Sequence, residues 1–147
     1  MREPIQIPLI ETESSWAPPS LLPDLTRATE IAVDLETRDP NLLRLGPGWA
    51  TNDGEVVGVS IATNDWSGYL PFKHEAGGNL DKEFVLAWVK RQMSSPADKI
   101  FHNSLYDVGW LKREGIEIQG KIQDTMIAAP LINENRHRYS LDSLGFE

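Results

Sequence analysis

Two carboxylates close an apolar run in this chain, Ile31-Ala32-Val33-Asp34-Leu35-Glu36. Residues two apart on a strand point to the same face, so Asp34 and Glu36 stand together while Ile31, Val33 and Leu35 turn to the other side. Placing two like charges side by side at a sheltered strand end costs roughly several kcal/mol unless something neutralises them. A divalent cation does so. Hard oxygen donors, with no sulfur and no paired histidines, favour Mg2+ or Mn2+ over zinc. The blander reading of the same Asp-x-Glu is a solvated strand end carrying ordinary surface acids.

A second cluster lies at Phe101-His102-Asn103-Ser104-Leu105-Tyr106-Asp107, where a short strand passes into a helix. Asn103 and Asp107 are four apart and share a face near the helix N-terminus, whose partial positive charge suits anions such as phosphate. Asn103 is placed to donate to a phosphate or sugar oxygen, and Asp107 to serve as a third metal ligand. The structural alternative has Asn103 capping the helix and Asp107 as a favourable first-turn acid. His74, His102 and His137 lack the paired spacing of a zinc site, and His102 reads as structural. Trp88 and Trp110 fall on helices as core residues. Trp16, Trp49 and Trp66 fall in loops, where packing is the simpler role than stacking on a base.

Bulk properties set the frame for these residues. A chain of 147 residues suits one domain able to bury a core. There is no cysteine, hence no disulfide framework and no thiolate site, as suits a cytosolic protein. Residues 1–16 have no long apolar run, and Pro4 and Pro8 interrupt them, so they read as neither signal peptide nor membrane span. The net charge of −8 weighs against unaided nucleic-acid binding, because phosphate affinity comes largely from Lys and Arg. Bound cations reverse that sign locally. The basic clusters Lys90-Arg91, Lys112-Arg113 and Arg136-His137-Arg138 read as solvated faces.

The elements that must position the carboxylates follow from periodicity and turn chemistry. Residues 1–27 form an N-terminal extended segment with a short helix or turn near 20–27, and residues 28–147 form the domain. Strands are expected at 31–36, 55–62 and 67–72, the last two joined as a hairpin through 63–66. Residues 37–54, with Asp39-Pro40, Gly46-Pro47-Gly48 and Asn52-Asp53-Gly54, make a long loop. A helix over 80–94 stops before Pro96, and a buried strand follows at 98–102. A helix over 103–114 is stopped by Gly115, and a short strand is expected at 117–119. Asp124 caps a helix to about residue 132, and a last helix starts after Ser140. The order β-β-β-α-β-α-(β)-α is an α/β arrangement, a mixed sheet with flanking helices.

Taken together, the motifs resemble the proofreading 3′–5′ exonuclease domains of family A DNA polymerases, within the DEDD (DnaQ-like) superfamily. Val33-Asp34-Leu35-Glu36-Thr37 matches the first exonuclease motif and Asn103-Ser104-Leu105-Tyr106-Asp107 the second. Between them, Tyr69-Leu70-Pro71-Phe72 followed by His74 is similar to the family's hairpin. After them, Asp124-Thr125-Met126 and Tyr139-Ser140-Leu141-Asp142-Ser143-Leu144 match two later stretches, so the resemblance covers roughly residues 28–147. Residues 39–58 are reminiscent of phage polymerases.

The resemblance implies a ribonuclease H-like fold with sheet order 3-2-1-4-5, and two divalent cations, Mg2+ or Mn2+, held by Asp34, Glu36 and Asp107 as catalytic ligands. Thr37, Asn103 and Tyr106 would hold the 3′-terminal nucleotide of single-stranded DNA, with Leu42 or Leu43 against the terminal base. A polymerase domain, in cis or in trans, is the implied partner, in the cytoplasm of a bacterial or phage-infected cell. The family's third motif, Tyr-x-x-x-Asp or His-x-x-x-x-Asp, lies beyond the stretch matched at 139–144, and the chain ends at Glu147. The domain is therefore expected to be C-terminally incomplete, as a fragment, a split-gene product or a relic, and weak or inactive by itself. Asp142 falls inside a matched stretch and Asp124 reads as a structural cap, so neither replaces the missing carboxylate. Two other functions are consistent with the same residues: an RNA 3′-end exonuclease of the superfamily, or a non-catalytic module that binds single-stranded DNA or docks a polymerase.

Overall fold

The computed structural model describes residues 15–75 and 77–145. Its centre is a five-stranded sheet in the order β3-β2-β1-β4-β5, the order the motif resemblance implies. Strand β1 (Glu30–Arg38) lies in the middle. It pairs antiparallel with β2 (Glu55–Ala62), which pairs antiparallel with β3 (Ser67–Pro71). On its other edge β1 runs parallel to β4 (Asp98–Phe101), and β4 parallel to β5 (Ile122–Asp124). The β2–β3 turn is closed by the Thr63 amide on the Trp66 carbonyl at 2.7 Å.

The alternation read from β1 holds, since Ile31, Val33 and Leu35 are buried while Asp34 and Glu36 are exposed. Together with Val59 and Ile61 of β2, these side chains pack on α3 (Lys82–Met93) and α4 (Ser104–Arg113) through Val85, Val89, Met93, Trp110 and Leu111. Asp81 caps α3 by accepting the Phe84 amide at 2.7 Å. Gly115, at φ 74°, takes the left-handed conformation beyond α4 that a side chain would resist. The opposite sheet face carries smaller residues. Ala32, Ser60, Ala62, Ile100 and Tyr69 line an open cavity of about 520 Å³ there, beside Leu141 of α6 (Leu141–Gly145).

Two sequence expectations need correction. Residues 37–54 are not a plain loop: β1 runs on to Arg38, and the segment then folds into two single-turn helices, α1 (Leu42–Leu45) and α2 (Gly48–Thr51). The last strand is not at 117–119 but at Ile122–Asp124. The Gln119 amide is taken by the Met93 carbonyl at the end of α3, and its own carbonyl by the Lys99 ammonium, so no strand partner remains for it. Of the helix or turn expected near 20–27, the turn is found, with the Asp24 carboxylate accepting from the Thr26 amide and hydroxyl. Residues 22–25 pack onto α3, where the Trp88 indole donates to the Pro23 carbonyl and the Leu25 amide to the Gln92 side chain. The extended reading of residues 1–14 lies outside the described residues.

Lys99 is fully buried on β4. Its ammonium donates to the carbonyls of Ser95, Ala97 and Gln119 at 2.9, 2.7 and 2.8 Å, joining the α3–β4 turn to the approach of β5. Burial pulls its pKa below the usual lysine value. Three carbonyls with one donor make this a costly residue to remove. Lys99→Met should destabilise the chain by about 3 kcal/mol, since it orphans buried acceptors. A urea midpoint unchanged from wild type would show that water replaces the ammonium.

Candidate functional site

The site grows from one feature of the sheet. β4 pairs with β1 only from Glu30 to Ala32, after which the two parallel strands part. In open α/β sheets such a parting at the carboxyl ends of strands is where ligands sit. Beyond it the β1 amides on that edge have no strand to bond. The Asp107 carboxylate, from the first turn of α4, fills the gap and accepts the Leu35 amide at 3.2 Å. Asp107 is 3% exposed. Burial, and then the charge of Asp34, raise its pKa to about 7. Asp34 is also raised, by burial, with His102 opposing. The two carboxylates of separate motifs therefore lie near enough for the charge of Asp34 to act on Asp107. Glu36 stands on the Asp34 face one pleat further along. Among the described residues no group of three acids or histidines is close enough to enclose an ion.

The remaining motif residues are held in two networks. In the first, the Tyr106 hydroxyl donates to Asp39 at 3.0 Å and lies 2.8 Å from the Thr37 hydroxyl, which donates to it in turn. Asp39 also accepts the Gly48 amide at 2.9 Å. Arg113 completes the link between the folded loop and α4, donating to the Gly48 and Asp53 carbonyls at 3.1 and 2.7 Å with its guanidinium over the Trp110 ring. Thr37 and Tyr106 are thus brought together, with the phenolic proton committed to Asp39.

The second network sets the α4 N-terminus. Asn103 does not cap the helix with its side chain; it is exposed, in the left-handed conformation at φ 72°. The cap comes from Asp124, across the sheet. One carboxylate accepts the Asn103 and Ser104 amides at 3.2 and 2.7 Å and the Met126 and Ile127 amides of α5 (Thr125–Ile132) at 2.9 and 3.3 Å. Burial acts to raise the Asp124 pKa, but the bonds from Ser104, Asn103 and Met126 outweigh it and hold the carboxyl low. His102 Nδ1 meets the Thr125 hydroxyl at 2.9 Å, tying β4 to the same helix start.

The sequence singles out Asp34, Glu36 and Asp107 and the cap at Asp124, but not the second helix that Asp124 serves, nor Asp39. The Asp39-Pro40 pair reads as turn chemistry, and nothing local says that its carboxylate reaches residue 106. Of the tryptophans assigned to loops, Trp49 lies on α2 with its ring against Gly109, and Trp66 is at the hairpin turn, edge-on to Trp88.

Comparison with known proteins gives the family. The family model described as 3′–5′ exonuclease matches residues 12–147. The chain belongs to the 3′–5′ exonuclease family. It is 40% identical over 148 residues to a DNA-directed DNA polymerase of Pseudomonas phage M6, covering 95% of this chain and 22% of that protein. It is 29% identical to DNA polymerase I of Chloroflexus aurantiacus, covering 97% of this chain and 16% of that protein. The chain thus spans about a fifth of the length of these polymerases. In fold it is similar to Brucella melitensis NrnC, solved with bound Mg2+, at TM-score 0.55 and 22% identity, covering 84% of this chain and 55% of that one. The likeness extends to Pol1 from M. smegmatis, solved with DNA primer-template and dNTP, at TM-score 0.56 and 17% identity, covering 81% of this chain and 18% of that one. The ribonuclease H-like α/β fold of DnaQ exonucleases is therefore shared. No helix of the described residues is long and apolar enough to cross a membrane.

Two measurements follow from the carboxylates. A carboxyl whose pKa rises from 3.8 to about 7 on folding binds its proton more tightly in the folded chain. Its contribution to stability is full below the unfolded value and is lost as pH rises through about 7. With a chelator present, stability by urea unfolding should fall between about pH 5 and pH 8, and Asp107→Asn should flatten that slope. Asp124→Ala strips four helix-start amides of their acceptor and should cost about 2 kcal/mol. A melting temperature equal to wild type would contradict the double cap.

Proposed function

We propose that this chain is the proofreading-type exonuclease module of a DNA polymerase, with a site for hydrolysing 3′-terminal nucleotides of single-stranded DNA and weak or no activity as the isolated chain. The observation that carries the reading is the buried Asp107 carboxyl, pinned to the Leu35 amide beside Asp34. Asp34, Glu36 and Asp107 are the proposed catalytic ligands of two divalent cations, Mg2+ or Mn2+. Their donors are all hard oxygens, and the repulsion between Asp34 and Asp107 is the kind a cation relieves. Ions bound there supply an activated water and charge neutralisation at the leaving 3′ oxygen.

The chain's own groups orient the nucleotide. The exposed Asn103 side chain, at the positive end of α4, faces solvent as a donor for phosphate or sugar oxygens. Thr37 takes its place through Tyr106, whose hydroxyl is committed to Thr37 and Asp39 and whose role is to hold that corner rigid. Of the two leucines after the first motif, Leu43 stands fully exposed and Leu42 only in part, so Leu43 is proposed against the terminal base. The polymerase relatives, far longer than this chain, support a polymerase domain as partner in cis or in trans, in a bacterial or phage-infected cytoplasm. The likeness to NrnC extends to the fold and favours no RNA substrate.

The test pairs calorimetric titration of Mn2+ with digestion of matched single-stranded DNA and RNA oligonucleotides. Mn2+ should bind the wild-type chain and not Asp34→Ala, and whatever 3′-nucleotide release from DNA the wild-type chain shows should be lost in that variant. DNA binding that persists in chelator, with no Mn2+ bound by the wild-type chain, would instead identify a binding module.

A further inference from the structure

Gly58 stands directly opposite Glu36 in the β1–β2 ladder. Side chains of such a pair share a face with their Cβ atoms about 5 Å apart. At Gly58 the place of the missing side chain is filled from the neighbouring strand, two residue pairs along: Tyr69 of β3 pairs with Ser60, and its ring leans across so that its hydroxyl and two ring carbons occupy the Gly58 Cβ position. A Cβ at 58 would meet the hydroxyl and would lie 2.6 and 2.7 Å from those carbons. The phenolic oxygen is thereby set at the Cβ position opposite Glu36, on the sheet face that carries the Glu36 side chain. Burial, and then the charge of Glu36, raise the Tyr69 pKa, so the phenol keeps its proton.

The phenol is not free to swing away. Its hydroxyl is hydrogen-bonded to His74 Nε2, and the two rings meet edge-on at 5.7 Å. His74 is fixed in turn by the Asn79 side chain, which accepts the His74 amide and donates to its carbonyl, both at 2.8 Å. The Trp16 ring packs on the phenol at 6.0 Å.

We propose that Tyr69 is a positioning residue for Glu36: His74 donates from Nε2 to the phenolic oxygen, which leaves the phenolic proton to orient the Glu36 carboxylate toward the cations. Gly58 is glycine because that phenol needs its space. The assignment rests on the cation-binding reading above.

Calorimetry of the 147-residue chain with Mn2+ tests it by a double-mutant cycle. Tyr69→Phe should weaken Mn2+ binding about tenfold, as for loss of a hydrogen bond to a charged group. In a Glu36→Gln background the same change should have little further effect, whereas a merely structural role would make the two losses multiply. Gly58→Ala, which displaces the phenol without altering it, should weaken binding in the same direction. Independently of metal, nitrogen-15 NMR of the imidazole, assigned with His74→Asn, should show the His74 proton on Nε2. Mn2+ binding equal in Tyr69→Phe and wild type, a multiplicative cycle, or a neutral His74 protonated only on Nδ1 would overturn the assignment while leaving the cation reading intact. A wild-type chain that binds no Mn2+ would overturn that reading and this assignment with it.

Discussion

The parting of β1 from β4 is the constraint on which the site depends. Parallel pairing ends at Ala32, yet β1 runs on for another six residues in company with β2 alone. A buried strand edge cannot leave its amides unbonded. The Leu35 amide is satisfied by a carboxylate from α4, and that requirement brings Asp107 next to Asp34. A backbone demand thus creates an electrostatic problem. A buried carboxyl, its pKa raised to about 7, faces the charge of an exposed one. A bound cation would relieve the problem, as would a proton held on Asp107.

The same corner is braced from outside by polar groups drawn from distant parts of the chain. Asp124 holds the starts of two helices with one carboxylate, so the orientation of α4, and with it Asn103 and Asp107, depends on a strand end some twenty residues away. Asp39 and Arg113 tie the loop after β1 back to α4, which converts a long connection into a rigid wall. Charged groups that accept several amides or donate to several carbonyls recur here, Lys99 included. Each replaces backbone partners that the sheet and helices leave unpaired.

The two faces of the sheet are built differently. The face carrying Ile31, Val33 and Leu35 is closed by α3 and α4. The face carrying Asp34 and Glu36 is lined at its centre by the small side chains of Ala32, Ser60 and Ala62, and Tyr69 leans over a glycine there. A ligand that reaches the carboxylates meets this second face, where the core does not compete for space.

Much of this was legible in the residues alone. Alternation of apolar and acidic positions placed Asp34 and Glu36 on one face of β1, because the period of a strand leaves no other choice. Helical spacing and Gly115 bounded α4, and Asp124 was readable as a cap because capping is a local interaction. What the sequence could not determine were the contacts between elements. That Asp107 bonds to Leu35, that Asp124 caps a helix it does not begin, and that Asp39 reaches Tyr106 are all pairings across 20 to 72 positions. Local propensity carries no information about them. The shift of the last strand to Ile122–Asp124 has the same origin, since the Gln119 backbone is claimed by Met93 and Lys99, and only the packed molecule decides which partner an amide finds.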